Sequence, residues 1–215
     1  MKIILTIALS LFLGGCQTIV KTIYGGQKPA VQTAQGITRW LNREGLRPEN
    51  VVSISPEDFT NIFIQYCEGL KVFSADGYLL PIGYKNGKFC PQDLTEVLAT
   101  LKPLPRLPMP FSAYSTLFAG ADLHAPEAPQ SSLQFLFAAL RTLQGDTIPT
   151  FPGKVDYIVL VPFALSVGSR FQTKDMRAYA KALSENPHSR FSIWYLNFDK
   201  QAWWGEDWNR NIVVQ

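Results

Sequence analysis

Ser166 is the residue whose surroundings best fit covalent catalysis. It stands in Ala164-Leu165-Ser166-Val167-Gly168, after residues that predict a buried strand and before residues that predict a helix. A nucleophilic serine occupies such a turn in a nucleophile elbow, although the first position there is normally glycine and not alanine. One hypothesis for this chain is therefore a serine hydrolase.

A serine hydrolase also needs a histidine base that an acid orients, and the only histidines are His124 and His188. His188 follows Ser166 by 22 residues, Asp175 lies between them, and 49 residues remain after the serine. An α/β-hydrolase sheet needs more strands than this tail supplies. We expect Ser166 to lie in an ordinary strand-to-helix turn and keep the hydrolase as the alternative.

Metal and cofactor chemistry has no support in the sequence. Two isolated histidines and the few cysteines do not have the ligand spacing of zinc or redox-metal sites. Phosphate-loop, dinucleotide-binding and calcium-loop patterns are also missing. We expect no metal and no cofactor.

Three tryptophans, Trp203, Trp204 and Trp208, stand close together near the C-terminus in a polar stretch. Tryptophan is favoured at protein interfaces, so an exposed cluster would predict a surface for an envelope protein or a glycan. The alternative, which we favour, is that these rings fold back over the core as a C-terminal clasp.

The N-terminus has the three regions of a secretory signal. Lys2 precedes eleven mainly apolar residues, Ile3 to Leu13, and the small residues Gly14 and Gly15 follow. The apolar run is too short for a stable transmembrane helix. We therefore expect residues 1–15 to be a signal peptide that is removed from the mature protein.

Leu13-Gly14-Gly15-Cys16 resembles the lipobox of bacterial lipoproteins. The resemblance covers about sixteen residues and implies cleavage before Cys16, a thioether-linked diacylglyceryl group on its sulfur and acylation of the new amino group. Several acyl chains make membrane attachment practically permanent. Because Gln17 stands where aspartate would retain a lipoprotein in the inner membrane, the resemblance favours the outer membrane, or the cell membrane in a Gram-positive host.

Cys67 and Cys90 remain once Cys16 is assigned to the lipid anchor. An even pair in an exported protein predicts a structural disulfide, which would stabilise the fold by about 3 kcal/mol. The alternative is a redox pair, but catalytic dithiols usually have Cys-x-x-Cys spacing, whereas 22 residues separate these two.

Composition predicts a folded globular protein, with 47% hydrophobic and 17% charged residues. The net charge of +3, without a dense Lys/Arg cluster, gives no indication of nucleic-acid binding. Four prolines between positions 103 and 110 predict a stiff connector, for which a polyproline ligand is the functional alternative. We divide the chain into a signal peptide, a lipidated tether, an α+β half with hairpins, a Pro-rich connector and an α/β half: 1–15, 16–28, 29–102, 103–130 and 131–215.

The first half predicts helices over residues 29–45, 55–66 and 91–101 and a strand over 51–54. The hairpin signals Asp76-Gly77 and Asn86-Gly87 predict an antiparallel meander between the second and third helices. The helix ends of this half have the expected caps: Ser55 and Pro56 at a start and Gly45 at a stop.

The second half opens with an apolar stripe, Leu133 to Leu143, which predicts one amphipathic helix. An apolar strand over 155–161 and another over 191–196, within the region 190–199, then flank a helix over 173–186. Strand, helix and strand at this length predict a βαβ unit with a parallel pair.

These patterns predict an α/β or α+β fold. The βαβ unit also indicates an alternative fold, a degenerate or permuted thioredoxin-like one. Residues 163–168 stand where that fold carries its redox pair, but they contain no cysteine. For function we expect a lipid-anchored, non-enzymatic binding protein of the cell envelope. The alternatives are a hydrolase that uses Ser166 and a thioredoxin-like binding module without redox chemistry.

Overall fold

A computed structural model describes ten stretches of the chain, with gaps between them. These stretches are 30–46, 50–67, 69–80, 82, 84–85, 88–89, 94–103, 132–148, 154–166 and 169–211. The predictions for the signal peptide, Cys16, Cys90, His124 and the Pro-rich connector lie outside them. Cys67 is described and is half-buried. Because Cys90 lies outside the described residues, the predicted disulfide between the two stays a prediction.

The described residues form a mixed α/β fold, which confirms the predicted fold class. The helices are α1 (Ala34–Arg43), α2 (Phe59–Tyr66), α3 (Leu94–Thr100), α4 (Ser132–Ala139), α5 (Ser169–Glu185) and α6 (Glu206–Asn211). The strands are β1 (Val51–Ile54), β2 (Lys71–Ser74), β3 (Leu79–Leu80), β4 (Tyr84–Lys85), β5 (Lys88–Phe89), β6 (Leu140–Thr142), β7 (Tyr157–Phe163) and β8 (Phe191–Asn197).

Six strands form one sheet in the order β3-β2-β7-β8-β1-β6. Strands β7, β8 and β1 are parallel, whereas β2 is antiparallel to β7 and β6 is antiparallel to β1. Strands from 29–102 therefore lie on both sides of the β7–β8 pair, and the segments 29–102 and 131–215 share one sheet.

The predicted βαβ unit is confirmed as β7, α5 and β8, with seven parallel residue pairs from Tyr157↔Phe191 to Phe163↔Asn197. β7 continues one residue beyond the predicted stop at Pro162. Because β2 pairs with β7 only as far as Leu160, the last part of β7 has an open edge, where a proline without an N–H is tolerated.

The predicted antiparallel hairpins are also present, as β2 with β3 and β4 with β5. In the first hairpin the Tyr78 carbonyl accepts from the Ser74 N–H, and Gly77 takes a φ of 88° in the three-residue loop. A glycine is favoured there because other residues are strained at positive φ.

One prediction in the second half is wrong. We expected a single helix through Leu143, but α4 ends at Ala139 and Leu140 begins β6. β6 pairs with the outer edge of β1, where Ile54 stands opposite Leu140. Leu140 and Leu143 are both buried, as the predicted helix also required. The apolar spacing therefore could not distinguish a helix from a strand at these residues.

Helices cover both faces of the sheet and create two apolar clusters. On one face α1, α3 and α5 pack over Tyr157, Val159 and Val161 of β7. On the other face α2, α4 and the C-terminal segment pack over Ile158 and Leu160. β7 is thus buried on both sides, as the continuous apolar run predicts. Within the described stretches, no helix has the length and apolar character needed to cross a bilayer.

Candidate functional site

The carboxyl ends of β7 and β8 lie together at one edge of the sheet because the two strands are parallel and in register. Phe163 ends β7 opposite Asn197, which ends β8, and the Phe198 N–H donates to the Phe163 carbonyl at 2.8 Å. Ligand sites of open α/β sheets are found beyond this edge of the strands. The turn that carries Ser166 follows β7 directly, so the structure places the predicted serine at this edge.

A buried polar network fixes the turn. Asp199 accepts hydrogen bonds from the Leu165 N–H at 2.7 Å, the Ser166 N–H at 3.3 Å and the Ser166 hydroxyl at 3.0 Å. The Asn197 amide also donates to Asp199, at 2.9 Å, and Gln201 donates to Asn197 at 2.6 Å. Asn197, Asp199 and Gln201 are each at most 2% exposed. The network therefore joins the turn after β7 to the segment after β8.

Ser166 does not have the partners of a catalytic serine among the described residues. Its hydroxyl donates to a carboxyl oxygen of Asp199, and no imidazole stands beside it. His188 precedes β8 and is exposed, whereas Ser166 follows β7, so the length of a seven-residue strand, about 20 Å, separates them. Asp175 lies on α5 and makes no contact with His188. His124 lies outside the described residues, and the arrangement found is that of a structural turn.

The C-terminal tryptophans divide between core and surface. Trp204 is buried, donates from Nε1 to the Ile54 carbonyl at 3.1 Å and packs edge-to-face on Phe59 at 5.0 Å. Trp203 is half-buried, and its ring lies so close to Gly145 that an added Cβ there would come within 2.9 Å. Trp208 is 40% exposed. Two of the three rings therefore act as the clasp, and only Trp208 remains for a surface role.

The N-terminal end of the described domain is held by the same segment. The Gln32 N–H donates to the Lys200 carbonyl at 2.7 Å, and the Ala202 N–H donates to the Gln32 carbonyl at 2.8 Å. Three buried atoms nearby have no partner among the described residues: Gln201 Oε1, Trp203 Nε1 and Asn209 Oδ1. The point where a tether would enter is thus fastened to the C-terminal clasp.

A cavity of about 220 Å³ opens beside the end of β7. The residues that line it come from the connection between α2 and β2, the end of β7 and one face of α5: Cys67, Gly69, Leu70, Val161, Pro162, Gln172, Asp175, Met176 and Tyr179. Gln172 connects the cavity to the polar network, because its Oε1 accepts from the Ala164 N–H at 3.2 Å. The cavity is therefore part of the same sheet edge.

Two ionisable groups of α5 in this cavity have shifted pKa values. Burial raises the pKa of the Asp175 carboxyl, and the neighbouring Lys174 lowers it only in part. Burial, followed by the charge of Asp175, raises the pKa of Tyr179 to about 12. Shifted groups in a cleft are typical of functional sites. Among the described residues, no three His, Cys, Asp or Glu side chains are close enough to hold a metal ion.

Sequence reasoning named Ser166 but missed Asp199 and the lining of the cavity. Alternating polar residues, Asn197, Asp199 and Gln201, directly after a buried strand were the available signal for the network. The signal for the cavity was the spacing of Gln172, Asp175 and Tyr179, which lie on one helical face at i, i+3 and i+7.

Replacement of Asp199 should be far more costly than replacement of Ser166. Asp199→Ala leaves two buried backbone N–H groups without partners, and we expect a loss of about 3 kcal/mol in the free energy of unfolding. Ser166→Ala removes one hydrogen bond and should cost about 1 kcal/mol. Chemical denaturation of the two variants measures both values. Equal losses would contradict the structural role given to Asp199.

Tyr179 should make stability depend on pH in the alkaline range. Because the folded state raises its pKa from 10.0 to about 12, the folded protein holds this proton more tightly than the unfolded chain. The resulting stabilisation is complete below pH 10 and is lost as the pH rises from about 10 to about 12. Denaturation at both ends of this window should show a smaller loss for Tyr179→Phe than for the wild type. Tyr66 and Tyr195, whose pKa values burial also raises, stay in the variant as internal controls.

Comparison with known proteins gives no indication of function. No family model, curated protein or solved structure matches the chain. The function must therefore be argued from the N-terminal motif, the polar network around Asp199 and the cavity on α5.

Proposed function

We propose that this chain is a lipid-anchored protein of the cell envelope whose folded domain binds another envelope component without catalysis. The N-terminal segment supports the anchor, because Leu13-Gly14-Gly15-Cys16 closes a signal-like run and resembles a lipobox. Gln17 favours the outer membrane of a Gram-negative host, with the domain facing the periplasm.

The observation that supports a non-catalytic role is the bonding of Ser166. Its hydroxyl and its N–H are both occupied by Asp199, at 3.0 and 3.3 Å. A general base must lie within hydrogen-bond reach of the nucleophile's proton, and His188 is at the opposite end of the strands. This favours binding over the serine hydrolase, which we do not propose.

The strand order supports a thioredoxin-like scaffold for this binding role. The antiparallel hairpin β2–β3 pairs with the first strand of the βαβ unit, although it precedes that unit in the chain. We would expect this order in a permuted thioredoxin-like core. The turn after β7 carries alanine, leucine and serine where redox cysteines would stand, so we propose a binding module without redox activity.

Substitution of Cys16 tests the anchor. The wild-type protein should incorporate labelled fatty acid and remain with the membranes after high-salt washing, because several acyl chains attach it. Cys16→Ser should lose the label and the membrane association. Cys67→Ser is the matched control and should keep both. A Cys16→Ser protein that is still labelled and still fractionates with the membranes would overturn the proposed anchor.

Site-specific photo-crosslinking in the native envelope tests the binding role. Ile64 on α2 is 72% exposed and Trp208 on α6 is 40% exposed, so a crosslinking residue at either position should reach a bound partner without disturbing the core. We expect a discrete adduct of fixed mass at Ile64, where the exposed apolar side chain stands one helical turn before Cys67. Failure at both positions, in a protein that is folded and membrane-bound, would contradict the proposed binding role.

A further inference from the structure

We propose that the cavity beside α5 receives one basic side chain, lysine or arginine, from the protein partner, with the cationic head against Asp175. This inference deepens the proposed binding role and rests on it. The proposal follows from the size of the cavity, the distribution of charge on its walls and the exposed surface beside it.

Size favours a single side chain over a free metabolite. The cavity has about 220 Å³, whereas sites for drug-sized ligands usually have about 300–1,000 Å³. Leu70, Val161, Pro162 and Met176 supply apolar walls suited to the methylene stem of a long side chain. The stem of lysine or arginine buries well along such surface while its head stays with a polar group.

Charge favours a cation. Among the described lining residues, Asp175 is the only one whose side chain is charged at neutral pH, and no hydrogen bond or salt bridge joins its carboxyl to another described residue. The charge of the adjacent Lys174 lowers the pKa of this carboxyl only in part, and Arg177 is engaged elsewhere, because it donates to Glu44 at 2.9 Å. Asp175 is exposed, so its carboxyl is accessible to a positively charged group of a partner and attracts it.

The other polar groups are placed to assist. Tyr179 lies one turn beyond Asp175 on the same face of α5 and also lines the cavity. A cation beside an aromatic ring is attracted by the ring's negative face. Gln172 is held by the Ala164 N–H at 3.2 Å, so this wall is already ordered before a ligand binds.

The surface beside the cavity suits a protein partner. Ile64 precedes Cys67 by three residues at the end of α2, so the two residues lie on the same helical face. Cys67 lines the cavity and Ile64 is 72% exposed. An exposed apolar side chain next to a pocket for a basic residue gives a partner an apolar contact around one charged anchor.

The test uses the full mature chain in detergent micelles, with methionine methyl groups labelled for NMR. Met176 lines the cavity and reports binding. The probes are Nα-acetyl-arginine amide and its neutral analogue, Nα-acetyl-citrulline amide. We expect the arginine probe to shift the Met176 signal saturably and to bind at least about tenfold more tightly than the citrulline probe.

Asp175→Asn should weaken binding of the arginine probe by about tenfold or more, because the substitution removes the charge and keeps the shape of the cavity. Asp207→Asn, an equal change of charge on exposed α6, is the matched control and should leave binding unchanged. Three outcomes would overturn the proposal: equal affinity of the two probes, unchanged affinity of Asp175→Asn for the arginine probe, or the lack of a saturable shift. If Asp175→Asn does not fold, the comparison of the two probes on the wild type decides.

A further measurement distinguishes a protein side chain from a free amine as the occupant of the cavity. Tighter binding of 1,4-diaminobutane than of the blocked arginine by about tenfold would assign the cavity to a small amine and overturn the proposed occupant. These measurements test binding in the cavity alone, whereas the Cys16→Ser and crosslinking experiments test the lipid anchor and the partner. Failure of the inference is therefore distinguishable from failure of the proposed function.

Discussion

The parallel pairing of β7 with β8 is the interaction on which the rest of the structure depends. Seven residue pairs place Phe163 opposite Asn197, so both strands end at the same level. Only this register brings Asp199 to the N–H groups of Leu165 and Ser166. Since a slip of one residue would turn every side chain of a strand to the other face, the two apolar clusters also depend on it.

The polar groups at the carboxyl edge serve two different purposes. Asp199 is 2% exposed and its oxygens are saturated by backbone and side-chain donors, so it stabilises the turn. Asp175 stands in a cavity without such donors and has a raised pKa. Two aspartates near one strand end thus differ because one is satisfied internally and the other is not. In such a comparison the unsatisfied group is the one available to a ligand.

Local patterns in the sequence predicted most elements and the pairing of neighbouring strands, but not the arrangement of the whole sheet. Thr33 caps α1 by accepting from the Gly36 N–H at 3.1 Å, and Gly45 ends it with a φ of 70°, as short-range rules require. The division of Leu133 to Leu143 between α4 and β6 could not be predicted, because the edge of β1 that decides it comes from residues far away in sequence. The cavity was missed for the same reason, since its walls come from three separate parts of the chain.

The order of the strands has a consequence for how the chain is made. Strands β7 and β8 follow the other strands of this sheet in the chain, yet they lie at its centre, between β2 and β1. The sheet cannot be completed until β7 and β8 have left the ribosome, because pairings between distant residues require closure of long loops. Late completion of the sheet suits the export proposed above, because a chain that is exported unfolded must not fold before it has crossed the membrane.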